Sequence, residues 1–253
     1  MLPLQAYLII CPLVMLAGFV DSIAGGGGLI SLPAYYLAGL SPEIAAGTNK
    51  LSAGLGTAAS VIRYQAGGKV RYYAALPAAL TAIPGSFLGA WLLMRINPEY
   101  VRWMVIAALP IVAVVVLLKK DGLSGVRRVP EKALPACCAL MGLVIGFYDG
   151  LIGPGAGTFL ILIMTMVLGM EAVDASGSAK VVNLASNLSS LVTFIIAGKV
   201  IVPLGLTAAV FGIAGNVLGA SLAMHRGARF IRVVLLCVLA LLLAKMVMDR
   251  LML

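Results

Sequence analysis

The chain has 253 residues, 62% of them hydrophobic and 11% charged, with a net charge of +9 and a mean hydropathy of +1.11. A soluble domain of this length cannot hide that much apolar surface, so the composition points to a polytopic membrane protein. The positive charge does not mark a nucleic-acid binder, because Lys and Arg lie mostly in short connections where they set membrane topology.

In chain order, apolar segments are expected over 4–24, 29–40, 43–65, 72–95 and 101–119, then over 133–152, 158–169, 171–196, 203–224 and 229–248. The fold class is therefore all-α integral membrane, with ten helical segments. The opening run "MLPLQAYLIICPLVML" has no Lys or Arg ahead of it and no small-residue cleavage site behind it. It reads as the first span rather than a signal peptide. The second segment of each half is short: twelve residues of helix rise about 18 Å, against about 30 Å of hydrocarbon. Cys11, Cys137, Cys138 and Cys237 lie in apolar runs without metal-ligand spacing and read as packing residues. No metal and no cofactor is expected.

The chain is a duplicated unit. An offset of 130 carries Lys50 onto Lys180, "GSFLGA" (85–90) onto "GNVLGA" (215–220) and Arg102 onto Arg232; an offset of 128 carries Asp21 onto Asp149. The expected division is a first membrane repeat at 1–120, a basic cytoplasmic linker at 121–132 and a second membrane repeat at 133–253. With "KKDGLSGVRRVPEK" in the cytoplasm, alternation outward puts the basic links 63–71 and 225–232 there too, eleven Lys/Arg in all against a handful outside. That pattern needs an odd number of crossings per half, which makes the repeats inverted. A parallel arrangement with four crossings per half, the glycine motifs forming re-entrant hairpins, is the alternative.

Two glycine clusters interrupt the apolar pattern, "GFVDSIAGGGGLISL" (18–32) and "GFYDGLIGPGAGTFL" (146–160). Unwound backbone at membrane depth is tolerated only where protein or a wet cavity surrounds it. The helices that follow are expected to begin near Gly28 and Gly157, with first-turn N–H groups free for an anion. The third segment of each half carries a lysine deep in apolar sequence. Ser176, Lys180, Asn183, Asn187 and Ser190 share one helical face, and Ala46, Lys50, Ala53, Thr57 and Ser60 form the equivalent, less polar face. Thr48, Asn49 and Ser52 lie beside it. By helical rise, Lys50 lies about 10 Å down its helix, within about a turn and a half of the adjacent glycine break.

Two plainer readings stand beside anion binding. Lys50 alone could snorkel to the headgroups. Asp21 could pair with Lys50, and Asp149 with Lys180, holding the broken helices together without a ligand. Gly85/Gly89 and Gly215/Gly219 have the spacing of close helix packing. "SPE" (41–43) reads as a helix start, which accounts for Glu43, and His225 as a solvated loop residue.

"GFVDSIAGGGGLISLP" with "GTNK", and "GFYDGLIGPGAGTFL" with "SGSAK", resemble the TauE/SafE family of sulfite and organosulfonate exporters over nearly the whole chain. The resemblance implies a carrier in a bacterial inner membrane for sulfur-containing anions, with substrates that vary across the family. Its first motif corresponds here to residues 25–28 with Thr48, Asn49 and Lys50, and its second to 153–157 with Lys180 and Asn183. Pro154 interrupts the second glycine cluster and Ala179 stands where the first half has Asn49, so the two halves need not contribute equally.

The resulting expectation is a secondary transporter of a small sulfur-containing anion, sulfite or a C2/C3 organosulfonate, in the cell inner membrane, coupled to an ion gradient. Lys50 and Lys180 neutralise the anion. Backbone of Gly25, Gly26, Gly27, Gly28, Gly153, Gly155, Ala156 and Gly157 approaches it, and Asn49, Ser52, Asn183 and Asn187 orient it. Asp21 and Asp149 serve proton coupling or structural pairing. The expected partners are the small anion and the lipid bilayer, with no nucleic acid and a homo-oligomer admitted. The rivals are a carrier of a carboxylate or other small organic anion, a passive anion channel, and an integral-membrane enzyme acting on lipid. The last lacks any Ser-His pair, metal cluster or carboxylate dyad at workable spacing, so the chain is not read as an enzyme.

Overall fold

The computed structural model describes residues 4–97, 100 and 129–251. Its elements are α1 (Leu4–Ala24), α2 (Gly28–Leu37), α3 (Pro42–Ala66), α4 (Tyr72–Leu93), a 3₁₀ turn at Glu131–Ala133, α5 (Leu134–Leu151), α6 (Ala156–Met166), α7 (Ala172–Ile196) and α8 (Val202–Leu251). Among the described residues the fold is all-helical, and five helices are long and apolar enough to cross a membrane. The expected segments 203–224 and 229–248 meet at Gly227, whose φ of 70° and ψ of −162° break the helix between them, so α8 runs across a kink there. The expected segment 101–119 lies outside the described residues, as does most of the expected linker.

Local sequence explains most boundaries. Pro42 opens α3, where its missing N–H costs nothing, after an extended Ser41. Ser41 makes no side-chain cap. Glu43 does more than mark a helix start: it meets Lys199 of the second half at 2.5 Å. Left-handed glycines end or turn the chain at Gly25, Gly39, Gly68, Gly153, Gly155, Gly169 and Gly198.

Small residues set which helices touch. On α4, Ala78, Ala82 and Ser86 face Gly142, Gly146 and Gly150 of α5, each so close that an added Cβ would overlap the facing backbone. Gly85 and Gly89 answer from α4 against Leu143 and Phe147. The equivalent contact joins α1 and α8, where Gly215 lies on Met15 and Gly219 on Phe19 and Ser22. Both glycine pairs singled out in the sequence therefore pack helices closely.

These contacts also give direction. In the α4–α5 pair, numbers rise together, so the two helices run the same way, and the same holds for α1 with α8. Helix α3 runs with α8, as Thr48 meets Ile201 and Ser60 meets Asn216. Helix α4 runs with α7, as Arg71 meets Ser178 and Ser86 meets Ser190. Helices α3 and α7 cross in opposite senses: Gly47 lies against Phe194, Thr57 near Asn187, and Tyr64 against Gly177. At one end of the bundle Tyr64, Val70, Ala223, Met224 and Ile231 cluster, so the links after α3 and near Gly227 share a face. The other end gathers Ala46, Leu93, Ile96 and Val200.

Two substitutions separate packing from propensity. Gly142→Leu is expected to lower the detergent-solubilised melting midpoint sharply, because Ala78's backbone occupies the needed space. Gly54→Ala, whose Cβ would meet only Asn187 at 3.8 Å, is expected to stabilise by about 0.5–1 kcal/mol.

Candidate functional site

A helix that ends inside a bundle leaves its last carbonyls unpaired. Those at the end of α1 are taken by side chains from elsewhere: Tyr64 Oη donates to Ser22 O at 2.8 Å, Ser176 Oγ to Ile23 O at 3.2 Å, and Thr158 Oγ1 to Ala24 O at 2.8 Å. Beyond them Gly25, at φ 76°, packs on Gly157 and Thr158 so closely that no Cβ fits. The two glycine breaks thus touch. Asp21 folds back on its own break, with Oδ1 accepting from Gly27 N–H at 3.2 Å. Helices α2 and α6 start at this junction, at Gly28 and Ala156.

The charged residues pair across the halves. Lys50 Nζ donates to Asp149 Oδ2 at 2.7 Å and to Asn187 Oδ1 at 2.9 Å; Lys180 Nζ donates to Asp21 Oδ2 at 2.7 Å. The expected pairs, Asp21 with Lys50 and Asp149 with Lys180, are not formed. Helix directions are the reason. Antiparallel crossing puts Lys50 and Lys180 at opposite ends of the α3–α7 contact, and α1 carries Asp21 toward the Tyr64 end, where Lys180 sits. Neither lysine snorkels: Lys50 is 6% exposed and Lys180 fully buried.

A cavity of about 80 Å³ lies against this junction, several times the roughly 10–15 Å³ that admits one water. Of the expected site residues, Gly25, Gly27, Gly28, Asn49, Lys50, Ser52, Gly153, Gly157, Asn183 and Asn187 line it, with Asp21 and Asp149. Lys180 is sealed behind Asp21, and Gly155 serves as the left-handed residue before α6. The cavity runs past Tyr36, Pro42, Leu93 and Phe194, toward the end of the bundle opposite the 63–71 link.

Its polar groups are not equally engaged. Ser52 Oγ donates to Asn49 O at 3.1 Å and pairs with Tyr35 at 2.9 Å. Asp149 also takes the hydroxyl of Ser186, which bonds Ser86 in turn. Asn49 Oδ1 is buried with no hydrogen-bond partner, and the side chain of Asn183, 7% exposed, makes no hydrogen bond to another described residue. Buried polar groups without partners are rare in folded proteins, and both of these line the cavity. Ser176, on the same helical face as Lys180, caps α1. Asn216 was not singled out in the sequence, yet it lines the cavity and accepts from Ser60 at 2.8 Å. An asparagine inside the apolar run of α8 was the available signal.

Residues 10–246 match the family described as Sulfite exporter TauE/SafE. The chain belongs to that family. It is a multi-pass membrane transporter. Similar curated proteins include the probable membrane transporter protein YfcA of Escherichia coli K12, 36% identical over 93% of this chain and 87% of that one. Another is the probable membrane transporter protein ORF9 of Sinorhizobium sp, 34% identical over 92% and 89%. A probable membrane transporter protein of Haemophilus influenzae is 32% identical over 92% and 91%. No solved structure matches the chain.

The crossed pairing is checked by unfolding midpoints of single and double variants. Lys50→Met strands a buried carboxylate, and breaking a buried pair this way costs about 3–5 kcal/mol. Adding Asp149→Asn is expected to recover part of that, a coupling of about 0.5–3 kcal/mol. Lys50→Met with Asp21→Asn should instead add to within about 0.5 kcal/mol; a large coupling there would contradict the pairing.

Proposed function

We propose that the protein is a secondary carrier of a small sulfur-containing anion, sulfite or a C2/C3 organosulfonate, in the cell inner membrane. The observation that carries this reading is a cavity where two glycine breaks meet, lined by Lys50 and by Asn49 and Asn183, whose side chains make no hydrogen bond among the described residues. A tetrahedral oxyanion presents several acceptors, which suits the Lys50 ammonium, the Asn49 and Asn183 amides and N–H groups near Gly27, Gly28 and Gly157. Ser52 and Asn187 hold that arrangement through Tyr35 and Lys50. Lys180 with Asp21 seals the opposite side.

The carrier has two inverted repeats, 1–120 and 133–253, of five segments each, joined by a cytoplasmic linker at 121–132. Supporting this, the third helices of the halves run antiparallel, while α1 runs with α8 and α4 with α5. The basic links 63–71 and 225–232 gather at one end, as a positive-inside arrangement requires. With that end in the cytoplasm, the cavity faces outward. Rocking of one repeat against the other moves the access from one side to the other.

Thermal stability of the purified protein against sulfite, sulfoacetate, taurine, sulfate, acetate and succinate tests the reading. A bound ligand at a hundred times its dissociation constant stabilises by about 2.7 kcal/mol. Stabilisation by one sulfur anion, lost in Lys50→Met, is the expected result. Stabilisation by acetate or succinate alone would move the assignment to a carboxylate carrier. Saturable counterflow in vesicles distinguishes a carrier from a passive channel.

A further inference from the structure

Asp21, Lys50, Asp149 and Lys180 carry two charges of each sign, and every one of them is paired. Lys180 is enclosed and stays with Asp21. Lys50 reaches the cavity, but its ammonium is already held by Asp149 and Asn187. An anion that enters therefore meets no uncompensated cation among the described residues lining the cavity, and it gains Lys50 only by displacing a carboxylate. That carboxylate is 11% exposed.

The surroundings of Asp149 offer no second cation among the described residues. From α3 comes Lys50; from α7 come Ser186 and Asn187; from α4, Ser86 reaches it through Ser186. Tyr148 turns its hydroxyl to Pro154 O at 2.6 Å. The nearby acid on α1, Asp21, is engaged by Lys180 and Gly27. A carboxylate left unpaired in a weakly solvated site is costly, and a proton removes the cost.

We propose that the protein carries its anion together with one proton, which Asp149 accepts as the anion takes its place on Lys50. This rests on the carrier reading above. On loading, one proton from the bulk solution on the loading side passes to a carboxylate oxygen of Asp149, whose new O–H donates to Ser186 or to the anion. The Lys50 ammonium then pairs with the anion, and the Asn49 and Asn183 amides complete its hydrogen bonds. On release, Lys50 recaptures the carboxylate and the proton leaves with the anion. The empty and loaded sites have equal net charge only for a monoanion, so singly charged oxyanions are preferred over dianions. Inward proton gradients pull the anion inward by this route; export requires an anion gradient larger than the proton gradient.

The test uses the full chain in proteoliposomes with a pH dye inside and labelled 2-hydroxyethanesulfonate outside. That probe is a permanent monoanion and carries no proton of its own across the bilayer. Wild-type uptake is expected to acidify the lumen by one proton per anion and to be indifferent to an imposed membrane voltage. Its apparent affinity should fall about tenfold per pH unit at alkaline pH, as one linked proton requires. In Asp149→Asn, any remaining uptake should proceed without acidification and be flat with pH. Wild-type uptake without acidification, or acidification that persists in the variant, would overturn the proposal. The wild-type proton ratio alone decides it if the variant fails to fold. Absence of any wild-type uptake would instead count against the organosulfonate reading on which it rests.

Discussion

A helix that stops inside hydrocarbon has no water to take up its last carbonyls, and each one left bare costs several kcal/mol. The end of α1 meets this requirement with hydroxyls supplied by α3, α6 and α7. Much of the architecture follows. The two glycine breaks must lie against each other and against the polar third helices, so those helices cross at the centre. The helices that flank them carry rows of glycine and alanine, because only small residues let the backbones approach that closely.

Charge is handled by the same crossing. A lysine at the centre of a membrane helix costs about 2.5–3.5 kcal/mol even on the gentler insertion scale. Pairing Lys50 with Asp149 and Lys180 with Asp21 offsets this at both positions. The two pairs are equivalent by repeat but not by surroundings. Lys180 is fully buried, while Lys50 borders the cavity beside Asn49 and Asn183, whose side chains make no hydrogen bond among the described residues. The pairs thus differ in surroundings, one sealed and the other bordering the cavity.

Helix boundaries were readable because apolar length, proline and glycine act locally. α1 ends at Ala24 and α3 starts at Pro42, within a residue or so of where the pattern put them. The repeat was equally plain, since Lys50 and Lys180 recur at one spacing. What each residue touches was not readable. Asp21 lies closer in sequence to Lys50, so the nearest-neighbour expectation chose the wrong lysine; only the sense in which α3 crosses α7 corrects it. Ser176 shares a polar helical face with Lys180, yet its hydroxyl is spent on a carbonyl of α1. Periodicity identifies a polar face, but which backbone groups need satisfying is a tertiary fact. Asn216 was overlooked because its repeat equivalent is Ser86, and neither breaks the apolar run strongly.

The crossed contacts also bear on how the chain is made. Asp21 and the end of α1 emerge from the ribosome early, while Lys180, Ser176 and Thr158, their partners, follow more than a hundred residues later. Through that interval Asp21 and the carbonyls of Ile23 and Ala24 lack the partners they have in the complete chain. Each half therefore completes these hydrogen bonds only in the presence of the other.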